Sequence, residues 1–229
     1  MAPAVSHSLL LRFAAPQQSW GSTELPDRNT ETVPTRSGVV GMLAAALGEP
    51  RNTWSGWLWG TDIWARVDRK GELATDFHTV GVPSPEVQSI RTRHRLAVGS
   101  RGDADFIIPL GNSNKWTLGG GTMVTNRQYL ADAEFLIAIS HVDTERVDEM
   151  AAATRNPVFM TYLGRKSFAP SFPFHLGIRQ GEPRNILAEL PTRTPRGHGL
   201  PLHRLIGDRN YATETVHPPV IESLKGWVA

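Results

Sequence analysis

Pro34-Thr35-Arg36-Ser37-Gly38-Val39-Val40-Gly41-Met42-Leu43-Ala44-Ala45-Ala46-Leu47-Gly48 reads as one apolar helix with a proline, a hydroxyl, an arginine and two glycines at its start. No charge falls between Val39 and Leu47, so the helix is expected to lie buried on a sheet. Thr35 or Ser37 supplies an N-cap oxygen, and the remaining N–H groups with the positive dipole end attract an anion. Arg36 adds a bidentate phosphate donor, while Gly38 and Gly41 remove side chains where another backbone could approach. The segment thus has two readings: a phosphate-holding helix mouth, or a capped core helix with a small-residue packing face.

Upstream, Ser8 to Phe13 is a short apolar run ended by Ala14-Ala15-Pro16, a buried first strand, and Gln17 to Gly21 opens a polar loop that runs to about Val33. Downstream, Asp62 to Asp68 alternates as a half-buried strand, and Arg69 to Glu72 is a turn into Leu73 to Val80, which predicts a hairpin. From Gly81 to Gly121 prolines, arginines and a closing triple glycine replace core periodicity, with strand pieces at Val98 and Phe106 to Ile108; this reads as a projecting arm. Strand pattern resumes at Arg127 to Leu130 and Glu134 to Ile139. Asp143 to Ala153 is a helix with an acidic first turn, and Phe159 to Leu163 reads as a last strand. The order β-α-β-(arm)-β-α-β predicts an α+β, ferredoxin-like or RRM-like palm. We expect a single domain over 1–229, with the palm at about 7–165, an inserted β-hairpin at about 82–122 and an irregular C-terminal extension at about 168–229.

The chain has 229 residues, 24 basic and 22 acidic, and no cysteine. A disulfide framework, a thiolate zinc site and a thiol nucleophile are therefore excluded. No apolar run is long enough to span a bilayer, and the start lacks a secretory pattern, so a cytoplasmic protein without a membrane partner is expected. Charge is unevenly placed: Arg91, Arg93, Arg95 and Arg101 share a window without an acid, which suits phosphate or plain solvated surface. His198 and His203 are too poorly disposed around Pro201 to hold a metal, and no cofactor is expected.

Leu9 to Gly21 (LLLRFAAPQQSWG), Pro34 to Gly48, Phe77 to Val80, Arg127 to Phe135 (RQYLADAEF) and Tyr162 to Ser167 (YLGRKS) resemble, in order, the CasD subunit family of the type I-E CRISPR Cascade complex, within the RAMP superfamily. The resemblance implies a noncatalytic RNA-binding subunit that holds the 5′ handle of the crRNA. It implies a thumb at about 82–122 reaching toward a backbone subunit, contact with the large PAM-reading subunit, and target DNA met only through the complex.

Single-stranded RNA is held by stacked aromatic or guanidinium planes and by basic groups on phosphates. Trp20, His78, Tyr129 and Tyr162 are the stacking candidates, with Trp20 equally readable as a core plug. Arg36, Ser37 and Gly38 at the helix start, and Gly164, Arg165, Lys166 and Ser167 after the last predicted strand, are the phosphate candidates. Arg12 and Arg127 flank the same predicted sheet end. Trp54, Trp57 and Trp59 form a candidate subunit interface, whereas Trp64 reads as core. The main rival is a metal-independent endoribonuclease cutting repeat RNA, but His78, His94, His198 and His203 are scattered. An RNA-recognition module acting alone would need an aromatic-rich signature that this chain lacks.

Overall fold

The computed structural model describes residues 6–21, 28–80, 108–109, 116–117, 123–193 and 199–221, with side chains omitted at 78–80, 108–109, 116–117 and 123–124. The chain divides into two compact units, one of Met1–Gly21, Thr30–Ala74 and Tyr129–Ala229, the other of Ser22–Asn29 and Thr75–Gln128.

The elements in chain order are β1 (His7–Ala14), β2 (Gln17–Gln18), α1 (Arg36–Leu47), a 3-10 segment at Gly56–Gly60, β3 (Asp62–Arg69), β4 (Glu72–Val80), β5 (Ile108–Pro109) and β6 (Trp116–Thr117). They continue with β7 (Met123–Ala131), β8 (Glu134–Ser140), α2 (Thr144–Arg155), β9 (His175–Gln180), α3 (Pro183–Glu189), β10 (Leu200–Leu205) and β11 (Tyr211–Val216).

The first unit is built on a six-stranded sheet of order β11-β10-β3-β8-β1-β9, and every pairing in it is antiparallel. Its four strands β3-β8-β1-β9, with α1 and α2 as crossovers, give the ferredoxin-like palm. β1 reads as an unbroken apolar run because both its faces are covered. Leu9, Leu11 and Phe13 join Val39, Val40 and Leu43 of α1 and Val147 and Met150 of α2 in one core. Leu10 faces the other way, with Ile186 and Leu187 of α3 and Leu200 and Leu202 of β10. Each fully buried leucine contributes about 1.5–3 kcal/mol, so β1 anchors both layers.

Three local expectations are corrected. Phe159 to Leu163 forms no strand: its first residue, with Val158 before it, caps a helix, as described below, and the fourth palm strand is β9, whose exposed pattern around Gly177 carries little hydrophobic signal. β3 and β4 do not pair as a hairpin. β3 pairs with β8 and β10, while β4 neighbours β7 in a separate sheet of order β2-β7-β4. The change of sheet occurs at Gly71, with φ 73°, where a Cβ would lie 2.7 Å from the Ala131 carbonyl oxygen; only glycine avoids that contact. The C-terminal stretch is more regular than its composition suggests, because β9, α3, β10 and β11 all lie in it.

Arg66 ties that stretch to the palm. Its side chain is wholly buried and pairs with Asp68 at 2.6 Å. It also donates to the carbonyls of Leu187 at 2.6 Å, Leu190 at 2.5 Å and Pro191 at 3.4 Å, at and just beyond the end of α3. In the second unit, β5 and β6 pair antiparallel inside the inserted region, and Arg28 bridges Arg127 through Arg28 N–H to Asn126 O at 2.9 Å and Gln128 N–H to Arg28 O at 2.8 Å.

Candidate nucleic-acid interface

α1 begins as its sequence dictates: Thr35 is the N-cap, its hydroxyl accepting from Gly38 N–H at 3.2 Å, and Gly48 closes the helix in the left-handed region with φ 82°. Two carbonyls of its last turn are also met from outside, Ala45 O in addition to its bond from Gly48 N–H. Val158 N–H donates to Ala46 O at 2.9 Å and Phe159 N–H to Ala45 O at 3.1 Å. This is why the apolar run after Pro157 is a loop: its backbone donors serve a helix end instead of a neighbouring strand.

The far end of the same loop is fixed as tightly. Leu163 accepts from Ser19 N–H at 3.1 Å and donates to Phe168 O at 2.8 Å. Between these bonds Gly164 has φ 92°, and a Cβ there would lie 1.6 Å from Ser19 O. The glycine predicted as a phosphate-loop residue is thus obligatory for docking the loop.

Between α1 and this pinned loop runs a groove of about 760 Å³. Ser37, Gly38, Gly41, Met42 and Ala45 line it from the helix, Phe159, Met160, Tyr162, Gly164 and Lys166 from the loop, and Glu49, Pro50, Arg51 and Trp54 from the turn after α1. Trp54 lies over Gly41, where a Cβ would come within 2.9 Å of the indole. Phe159 and Met160 are 46% and 74% exposed. Lys166 and Arg51 are exposed and make no ion pair among the described residues, and Glu49 is engaged by the Ser55 N–H at 2.7 Å and hydroxyl at 2.5 Å. The groove offers apolar and aromatic faces with two exposed cations at its rim, the chemistry that single-stranded RNA requires.

Six sequence candidates meet here: Ser37, Gly38, Trp54, Tyr162, Gly164 and Lys166. Others do not. Arg36 is no open phosphate fork, because it donates to the carbonyls of Leu205 at 2.9 Å and of Trp59 and Thr61 at 2.7 Å. Burial lowers its pKa, partly offset by Asp62. The helix mouth already holds an anion, since Ser37 N–H donates to the Asp208 carboxylate at 2.8 Å. Trp20 is 1% exposed and stacked on Phe13 at 5.6 Å, so it is the core plug and presents no face to a base. Arg12 is paired with Glu134 at 2.5 Å.

Arg165 lies over the Phe168 ring at 5.4 Å, Tyr129 packs 6.2 Å from the same ring, and Ser167 is exposed. Arg127 lies on β7, its Nε buried and without a partner among the described residues. The side chain of His78 and the residues Arg91, Arg93, Arg95 and Arg101 lie outside the described residues. Trp57 is edge-on to His141 at 5.8 Å under Arg146 at 4.9 Å, and Trp59 is 47% exposed beside Trp54. Sequence reasoning missed Arg51, Phe159 and Met160. A strand-like composition concealed the last two, and Arg51 sits just past a helix cap with no motif around it.

The comparisons agree with one another. A family model described as a CRISPR-associated protein (Cas_Cas5) matches residues 8–220. The CasD subunit of the CRISPR system Cascade of Escherichia coli K12 is 32% identical over 184 residues, 78% of this chain and 75% of that one. A chain of a CRISPR RNA-guided surveillance complex superposes with a TM-score of 0.67 at 28% identity, covering 95% of both chains. A crystal structure of a Cas protein matches with a TM-score of 0.61 at 25% identity, over 92% of this chain and 95% of the other.

Proposed function

The chain belongs to the Cas5 family of CRISPR-associated proteins, and from that membership we propose that it is a noncatalytic, CasD-type RNA-binding subunit of a Cascade complex that holds the 5′ handle of the crRNA. The observation that carries this reading is the groove. It gathers Ser37 and Gly38 from one helix with Tyr162, Gly164 and Lys166 from a loop far along the chain, and at its edge Lys166 and Arg51 make no ion pair among the described residues. Tyr162, Phe159 and Trp54 supply stacking faces, and the two cations take the phosphates. Arg36 passes from phosphate holder to structural clamp. In this reading the 82–122 insertion meets a backbone subunit, Trp59 anchors a protein neighbour and the large subunit sits nearby, while guide pairing reads the target.

The test is to incubate the full chain in EDTA with end-labelled repeat RNA and with mature guide RNA, following binding and cleavage together. Binding that depends on the 5′ handle, with the RNA intact, is expected, and Lys166→Ala should lower the slope of log affinity against log salt by about 0.7. Specific cleavage, or a salt slope unmoved by Lys166→Ala and Arg51→Ala together, would overturn the proposal.

A further inference from the structure

The loop that walls the groove also borders a second cavity of about 420 Å³, which Pro157 and Thr161 share with Arg155, Phe172, Phe174 and His175. Phe172 is 94% exposed, yet its backbone is held on both sides. Ser171 N–H donates to Ala14 O at 2.7 Å, and Arg12 N–H donates to Phe174 O at 2.8 Å. A large apolar ring presented to water on a fixed backbone gains nothing from folding, so its display points to a partner. Arg155, on the last turn of α2, is exposed and makes no ion pair among the described residues, unlike Arg12, Arg146 and Arg184.

His175 completes the set. The Thr154 hydroxyl donates to Met150 O at 2.8 Å, so at 2.9 Å from the ring it accepts from His175 Nδ1–H. Nε2 is then a bare acceptor, buried and without a partner among the described residues. Burial first, and Arg155 second, push the pKa of His175 below its ordinary value and keep the ring neutral. Phe172 has no packing to hold it, so its ring is free to turn onto an entering base. A stacking face, a free guanidinium and a neutral acceptor, with no acid in the lining, fit a nucleotide better than an apolar peptide.

We propose that this cavity takes one unstacked nucleobase of the bound RNA, with Phe172 stacked on the base, Arg155 on its phosphate and His175 Nε2 accepting from an N–H on its edge. The inference rests on the RNA-binding reading above and adds a second, separate subsite to it.

Fluorescence anisotropy of the full chain with guide RNA, including a series with single abasic substitutions through the 5′ handle, tests it. Phe172→Ala should weaken binding about 5- to 150-fold, the range of one stacked base, without changing the melting temperature, since the ring is unpacked. One abasic position should reproduce that loss, and combining the two changes should cost nothing further. Arg155→Gln should lower the salt slope by about 0.7. His175→Phe should weaken intact guide more than guide abasic at that position. If Lys166→Ala weakens binding while Phe172→Ala does not, or if every abasic loss adds to that of Phe172→Ala, the subsite is overturned and the groove stands. If the wild-type chain binds no RNA, alone or with the other subunits of its complex, both readings fall.

Discussion

Replacing Arg36 separates a structural clamp from a phosphate ligand. Its guanidinium joins the first turn of α1 to the 3-10 segment through Trp59 O and Thr61 O, and to the end of β10 through Leu205 O, all within 2.9 Å. Hydrogen bonds from a charged donor are worth roughly 1.5–3 kcal/mol each, but the Trp59 and Thr61 bonds share one nitrogen and water can reach part of the site. The expected cost of Arg36→Met, which keeps the aliphatic stem, is therefore about 3 kcal/mol. In a chain of this size that lowers the melting temperature by about 6–12 °C. Arg36→Lys keeps the charge without the fork and should recover less than half of the loss. Guide affinity measured from low to moderate salt, at a temperature where all variants are folded, should keep its wild-type slope. A melting temperature within 2 °C of wild type together with a slope reduced by about 0.7 would refute the clamp and restore Arg36 as a phosphate ligand.

Gly164→Ala forces a Cβ into Ser19 O and should cost more than about 2 kcal/mol, from left-handed strain and the lost Ser19–Leu163 bond; guide affinity should fall with it, and a variant with normal affinity and melting temperature would refute the loop's role. Trp59→Ala should change the melting temperature of the isolated chain by less than about 4 °C while lowering co-purification with the other subunits, and undiminished co-purification would remove Trp59 from the interface. His203, hydrogen-bonded to Thr213 at 2.8 Å, has its pKa lowered by burial. The unfolded chain therefore binds a proton more readily, and stability held near neutrality should fall as the pH drops below the unfolded value of about 6.5. Urea melts of wild type and His203→Gln at pH 7.5 and 5.5 check this, the variant losing less on acidification.

The palm was legible where burial imposes a pattern. Leu9-Leu10-Leu11 and the uncharged stretch of α1 are covered on the sides their sequence suggests. The misreadings share one cause, that a partner distant in sequence decides the outcome. Phe159-Met160-Thr161-Tyr162-Leu163 has the composition of a strand, but the last-turn carbonyls of Ala46 and Ala45 claim the amides of Val158 and Phe159 where it begins. Arg36 and Ser37 carry the features of an anion site, yet Leu205 and Asp208 reach them from the other end of the chain. Of the candidate site, the YLGRKS block and the glycine face of α1 were readable. Which cations stay free was not, because only the fold shows that Arg12 has found Glu134 while Lys166 has found no ion-pair partner among the described residues.

Arg66 gives the order of synthesis a physical meaning. Its charge enters the palm with β3, but three of its partners are carbonyls between Leu187 and Pro191. Until that later segment leaves the ribosome, the face of β3 that carries the cation has no α3 over it, and the guanidinium stays hydrated beside Asp68. The core on the α1 and α2 side can therefore form first, and the other face closes when α3 brings its carbonyls to the charge, since burying it without them would cost about 3–5 kcal/mol. Chains truncated before residue 187, which leave that face of β3 and β8 uncovered, should be more sensitive to protease there than the full chain.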